Sequence, residues 1–341
     1  MKTIAMCALL AALAFGLLPG NRDEAAAPDE GLVLLVETQQ DAQAPQKASS
    51  ARQNQSEKAA VQTAPDAQTV RLLDGGAVTA LSMEDYLTGV LLSEMPADFE
   101  PEARKAQAVA ARTFTCRKLL QPKHENADVC AEASCCQAWT SQERLRQKYG
   151  ASFDAVWSAA REAVRQTAGE VLTYDGQLID AVYFSCSGGA TEAAVAVWGT
   201  DVPYLQAVES PGEEAAPRFS SRAVFSPEEF SQRLMQENPD VQLSGSPDAW
   251  LGETTRSAGG GAATCSIGGV SFSGTQLRRM FGLNSTRLTL SYQDGDFVFD
   301  VTGFGHRVGM SQYGAQTMAR LGFSYQTILQ YYYQGAEVER Q

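Results

Sequence analysis

Apolar residues along the chain fall into short blocks with two different periods. Thr69–Leu73 and Ala77–Leu81 flank Asp74-Gly75-Gly76, which predicts a β-hairpin. From Met83 the period lengthens. Met83, Tyr86, Leu87, Val90 and Leu91 recur at helical spacing after the capping sequence Ser82-Met83-Glu84-Asp85, and Pro96 ends the run. A second helix is predicted from Pro101 to about Leu120, where Ala103, Ala106, Ala110 and Thr113 form a narrow face suited to close packing. A third helix spans roughly Phe153 to Ala168 and ends at Gly169. It leads into a hairpin of Glu170–Tyr174 and Gln177–Phe184 around Asp175-Gly176. Ser210 to Gly269 reads as loop-rich, with one helix beginning at Ser226-Pro227-Glu228-Glu229. A third hairpin covers Arg287 to Thr302 around Asp294-Gly295, and a last helix, Tyr325–Tyr333, lies between Ser324 and Gly335. Helices and β-hairpins interleave without a βαβ rhythm, so the expected fold class is α+β.

The N-terminal end follows another pattern. Lys2 precedes an unbroken apolar run, Ile4–Leu18, which fits a signal-peptide core. No clean small-x-small cleavage site follows, so residues 1–20 read as a signal or anchor segment, with retention as a membrane anchor the favoured outcome over cleavage. Residues 21–67 are rich in Ala, Gln, Asp, Glu and Ser and read as a flexible tether. Gly31–Val36 is an apolar island within it. Residues 68–341 would then form a single catalytic unit outside the membrane. The formal net charge of −13 argues against nucleic acid as the main partner, since nucleic acid calls for a basic face.

Glu94 is the first residue of chemical interest. It continues the apolar face at the end of the first predicted helix, and a carboxyl group held partly out of water suits a general acid. The pattern alone favours a plainer reading, a helix-end glutamate turned to solvent.

The surrounding residues change that weighting. Glu84-Asp85-Tyr86-Leu87-Thr88-Gly89-Val90-Leu91-Leu92-Ser93-Glu94-Met95-Pro96 resembles the signature of the stage II sporulation protein D family. Its continuation, Glu102 to Phe114, is present. So are two later segments, Tyr183-Phe184-Ser185-Cys186-Ser187-Gly188-Gly189 and Gly303-Phe304-Gly305-His306-Arg307-Val308-Gly309-Met310-Ser311-Gln312-Tyr313-Gly314-Ala315. The resemblance implies a lytic transglycosylase that cuts peptidoglycan glycan strands lacking stem peptides, with Glu94 as its catalytic acid. It implies a product ending in 1,6-anhydro-N-acetylmuramic acid. The setting it implies is engulfment in a spore-former, with the catalytic unit outside the engulfing septal membrane and stage II sporulation proteins P and M as partners. Related proteins act as amidase enhancers, so a non-catalytic wall-binding role is the alternative.

Arg112 matches the family's arginine on the second helix, where it would bind substrate or hold Glu94 in place. His124, Cys130 and Cys136 resemble the zinc-binding loop of some family members, and Cys135 or water would complete the set. On composition alone, a disulfide is the competing reading in an exported chain. A disulfide among Cys116, Cys186 and Cys265 is likewise open. Ser185 and Ser187 offer hydroxyls to sugar groups from a small-residue turn. His306 and Gln312 join them as candidate substrate-binding residues. Arg307 departs from the pattern, because glycine is usual at that position.

Overall fold

The computed structural model describes residues 69–341. The predicted anchor, tether and apolar island lie outside the described residues. Among the described residues no helix is long and apolar enough to cross a membrane.

The architecture is α+β. Strands β1 (Thr69–Asp74) and β2 (Ala77–Ser82) pair antiparallel with Asp74 opposite Ala77. The turn closes because Gly75 and Gly76 both take positive φ, 55° and 87°, the conformation that a two-residue hairpin turn demands. Helix α1 (Met83–Glu94) starts where the Ser82 hydroxyl accepts a hydrogen bond from Asp85 N, and it stops before Pro96. Helix α2 (Pro101–Leu120) has Pro101 in its first turn. Ala103, Ala106, Ala108, Ala110 and Ala111 are all buried, because α2 is the central rod of the larger body. Small side chains there let neighbouring backbones approach on every side.

The two-residue strand β3 (Val129–Cys130) adds parallel to β1. Helix α3 (Gln142–Tyr149) follows, capped by Ser141, and then α4 (Phe153–Gln166). Both α1 and α4 pack on α2. Strand β4 (Glu170–Tyr174) pairs with β5 (Gln177–Leu178) around Asp175-Gly176. The predicted second arm of this hairpin breaks after Leu178. Residues Tyr183–Phe184 form β6 and pair elsewhere. The sequence carries no mark of this switch, since its cause is a partner strand far along the chain.

The chain continues through β7 (Gly189–Ala190), α5 (Ala194–Trp198) and β8 (Glu209–Ser210). The segment read as loop-rich contains far more structure than expected. It holds β9 (Ser220–Phe225), α6 (Pro227–Glu237) and two strands of a meander, β10 (Leu251–Arg256) and β11 (Ala262–Ile267). Five of the six β10 residues are exposed, so no apolar alternation marks the strand. Strand β12 (Val270–Ser273) completes the meander, and α7 (Gly274–Phe281) follows it. Strands β13 (Arg287–Gln293) and β14 (Asp296–Thr302) form the predicted hairpin, and β9 extends it through β14. The final elements are β15 (Met310–Ser311), α8 (Gln312–Arg320), α9 (Tyr325–Tyr332) and β16 (Glu337–Arg340). Helices α8 and α9 also pack on α2, and β16 pairs with β4.

Buried apolar side chains form two clusters. The larger takes residues 70–205 and 308–336, and the smaller takes residues 230–301. The second core is therefore an insertion into the first. At its centre Phe230 stacks on Phe297 with ring centroids 3.8 Å apart. The chain leaves and re-enters the larger body beside the cleft described next.

Candidate active site

A cleft of about 640 Å³ opens at the C-terminal end of α1. Ser82 and Pro96 bound this helix, and together they place Glu94 as its last residue, half-buried on the cleft wall. The backbone N–H of Ala138 donates to Glu94 Oε1 at 2.7 Å, which sets the direction of the carboxyl group. Among the described residues that line the cleft, Glu94 is the only carboxylic acid. Two cations, Lys148 and Arg218, share the cleft, as do the aromatic rings of Trp139, Tyr183, Phe304 and Tyr313. Apolar faces with a few fixed polar groups make a surface suited to sugar rings. Asp98, the nearest acidic residue after Pro96, is exposed and does not line the cleft.

The loop that carries Ala138 is anchored at several points. Gln137 is buried, and its Nε2 donates to Thr115 Oγ1 at 3.0 Å and to Tyr86 Oη at 3.3 Å. Its Oε1 accepts from the Tyr183 hydroxyl at 2.8 Å. Trp139 lies against Gly89 of α1. A Cβ on Gly89 would fall 2.3 Å from Trp139 Nε1, so only glycine lets the indole reach the helix.

The start of the same loop gathers four ligand-type side chains. The atoms of His124, Cys130, Cys135 and Cys136 all lie within 4.8 Å of one another, a group able to hold a metal ion. Cys135 and Cys136 Sγ stand 3.7 and 3.6 Å from His124 Nε2. Pairing of β3 with β1 places Cys130, and Asp128 beside it forms an ion pair with Arg71 at 2.7 Å. The contact between Cys130 and Cys136 lowers the Cys130 thiol and, with burial, raises that of Cys136, so the pair shares a proton between two sulfurs. No disulfide joins the described cysteines. Burial pushes the Cys186 thiol up to about 12, so it is not a nucleophile at neutral pH.

The remaining expected residues divide. Ser185, His306 and Gln312 line the cleft. Pairing of β6 with β15, and a bridge between Cys186 and Phe304, bring these three segments together. Burial pulls His306 down to about 3, so its imidazole is neutral. Its Nδ1 accepts from Val308 N at 3.2 Å, which assigns the proton to Nε2. Nε2 is buried beside the Tyr183 backbone.

Ser187 does not line the cleft. It is fully buried, and its hydroxyl donates to Glu213 Oε2 at 2.8 Å. The same carboxylate accepts from the N–H groups of Ser187 and Gly188 at 2.6 and 3.0 Å, and from the Ser210 and Ser311 hydroxyls through its other oxygen. Ser187 therefore shapes the turn and leaves contact with ligand to Ser185. Arg112 does not line the cleft either. Its side chain is 0% exposed, and its guanidinium donates to the carbonyls of Val164 and Glu170 and to Thr167 Oγ1, at 3.0 to 3.3 Å. An arginine there satisfies carbonyls at the end of α4 and the start of β4.

Arg307 has φ +68°, in the region where the family pattern has glycine. Its guanidinium is completely buried. It donates to the carbonyls of Ser187, Ala190 and Gly259, and it pairs with the buried Glu192 at 3.0 Å. Glu192 Oε1 in turn accepts from Gly261 N and the Ser257 hydroxyl. This network ties the inserted core to the cleft wall. Glu213, Glu192 and Arg218 were not singled out in the sequence, and no local pattern marks them.

The family model described as Stage II sporulation protein matches residues 74–174. Stage II sporulation protein D of Bacillus subtilis (strain 168) is 36% identical over 303 residues, covering 83% of this chain and 85% of that protein. This chain belongs to the stage II sporulation protein D family. The protein of that name from Bacillus amyloliquefaciens is 37% identical over 265 residues, covering 76% of this chain and 75% of that one. The amidase enhancer of Bacillus subtilis (strain 168) is 30% identical over 301 residues, covering 73% of this chain and 39% of the enhancer.

Proposed function

We propose that this family member is a lytic transglycosylase acting on peptidoglycan glycan strands without stem peptides during engulfment. One observation carries the reading: a sugar-sized, aromatic-walled cleft whose described residues include a single carboxylic acid, Glu94, held by the Ala138 N–H. A hydrolase of the usual kind needs two carboxyl groups, one of them to activate water or to attack the sugar. A transglycosylase needs one. Glu94 protonates the glycosidic oxygen between N-acetylmuramic acid and N-acetylglucosamine. The resulting carboxylate takes the proton of the muramic C6 hydroxyl, whose oxygen closes onto C1 and leaves a 1,6-anhydro end. Ser185 and Gln312 line the cleft beside the neutral His306 and offer hydrogen bonds to a sugar.

Zinc suits the metal group, because three cysteines and one histidine form a common structural zinc set. His124, Cys130, Cys135 and Cys136 would hold it. Four protein ligands leave no open position, so the metal would stabilise the loop that presents Ala138. Likeness to the amidase enhancer favours a second reading, in which the protein binds wall and stimulates a partner amidase. The setting we propose is an anchored protein at the engulfing membrane, alongside stage II sporulation proteins P and M.

The product decides between the readings. Incubation with peptide-free glycan should release fragments lighter by one water than hydrolase products and resistant to borohydride. Fragments with reducible ends would refute transglycosylation. No release by the purified protein would leave the enhancer reading.

A further inference from the structure

A second groove, of about 460 Å³, lies on the inserted core beside the cleft. Its lining includes Ser220, Ser221, Arg256, Arg287, Asp300 and Thr302. The same chain segments line both places. Arg218 stands in the cleft, and Ser220 and Ser221 follow it into the groove. Phe304 stands in the cleft, and Thr302 precedes it in the groove. Phe219 and Gly303 are hydrogen-bonded between these two pairs, at 2.7 Å. Two or three extended residues separate the sites, roughly 7–10 Å. The cleft and the groove are therefore neighbours along the same two chain segments.

The charges along this path are unusual for a chain of net charge −13. The Arg287 guanidinium makes no hydrogen bond or ion pair with a described residue. It lies against Gly189 and Gly260, where a Cβ on either would fall 3.4 Å from Nη1. Arg256 donates to the Leu288 carbonyl at 2.6 Å and meets no described carboxylate. The groove's own acid, Asp300, is occupied by Arg222 at 2.7 and 3.1 Å. Arg218 sits over the Phe304 ring, 4.9 Å from its centroid, and has no acidic partner among the described residues. Three guanidinium groups thus face one path without carboxylates of their own. A guanidinium matches a carboxylate by two parallel hydrogen bonds.

We infer that this groove is a second subsite, which binds the free carboxylates of a peptide-stripped glycan strand. The inference rests on the proposed substrate. A stem peptide is joined by an amide to the lactyl carboxyl of muramic acid. Removing the peptide frees that carboxylate, so a stripped strand carries a negative charge on every muramic residue. The arginine path therefore reads whether the peptide is gone, and it supplies the preference for stripped strands.

The test uses the full-length chain in detergent, with Glu94→Gln so that strands stay intact. Labelled peptide-free glycan is compared in its native form and with its lactyl carboxyls converted to methylamides. Native strands should bind on the order of 10-fold more tightly, the value expected for a charged hydrogen-bonded contact. Arg256→Ala with Arg287→Ala should shrink that preference, and Arg287→Lys should restore part of it. Equal binding of the two glycan forms to the arginine-intact chain overturns the inference whatever the variants do. Tighter binding of poly(glycerol phosphate) than of native strands overturns the carboxylate assignment in favour of a phosphate polymer. Binding is read without turnover, so the two readings fail separately. A carboxylate preference without anhydro product sinks the transglycosylase alone, and product without preference sinks the subsite alone.

Discussion

Replacing Arg307 by glycine sets a backbone gain against a side-chain loss. The gain comes from φ, which at +68° costs an ordinary residue about 1–2 kcal/mol and costs glycine almost nothing. The loss comes from the guanidinium. Glu192 is 2% exposed and pairs with Arg307 at 3.0 Å, and breaking a buried pair from one side costs roughly 3–5 kcal/mol. The carbonyls of Ser187, Ala190 and Gly259 lose donors in the same step. Glu192 keeps the Ser257 hydroxyl and Gly261 N–H, which softens the loss. The net expectation is destabilisation by about 2–3 kcal/mol, or roughly 5–10 °C in melting temperature. Thermal melts followed by circular dichroism would measure it. The double variant Arg307→Gly with Glu192→Gln should regain part of the loss, since the amide needs no cation. An Arg307→Gly protein melting at or above the parent temperature would refute the reasoning, because strain would then outweigh the buried pair.

Three further outcomes are expected. Glu94→Gln keeps an acceptor for the Ala138 N–H but cannot transfer a proton, so fragment release should fall on the order of 10²-fold or more with melting unchanged; near-normal release would move catalysis elsewhere. Protein purified without chelator should carry about one zinc equivalent, and Cys135→Ser should lower both metal content and melting temperature; a Cys130–Cys136 disulfide without zinc would exclude the site. His306 is neutral in the fold down to about pH 3, whereas the unfolded chain protonates it below about 6.5, so the unfolded state binds more protons and stability is lost as pH is lowered through that window. The loss is up to about 1.4 kcal/mol per pH unit, and His306→Asn should melt with a shallower slope between pH 6.5 and 4.5; parallel slopes would remove His306 as the cause.

Local rules alone decided much of this protein. Asp-Gly and Gly-Gly pairs demanded positive φ, and the first and third hairpins turn on them. Ser82, Ser226 and Ser324 cap the helices expected to follow them, because a hydroxyl meets a backbone N–H only three residues on. The end of α1 put Glu94 on a cleft wall, and the family's segments named Ser185, His306 and Gln312 beside it. What stayed hidden depends on contacts across long loops. Ala138 reaches Glu94 from 44 positions away, Glu213 reaches Ser187 from 26, and Arg307 reaches Glu192 from 115. Arg112 turns inward to the end of α4, and the choice left open between Cys135 and water falls to Cys135 in the His/Cys cluster. Side-chain type and spacing state what a residue is able to do. Which partner it meets follows from how distant segments close on one another, and only the tertiary structure decides that.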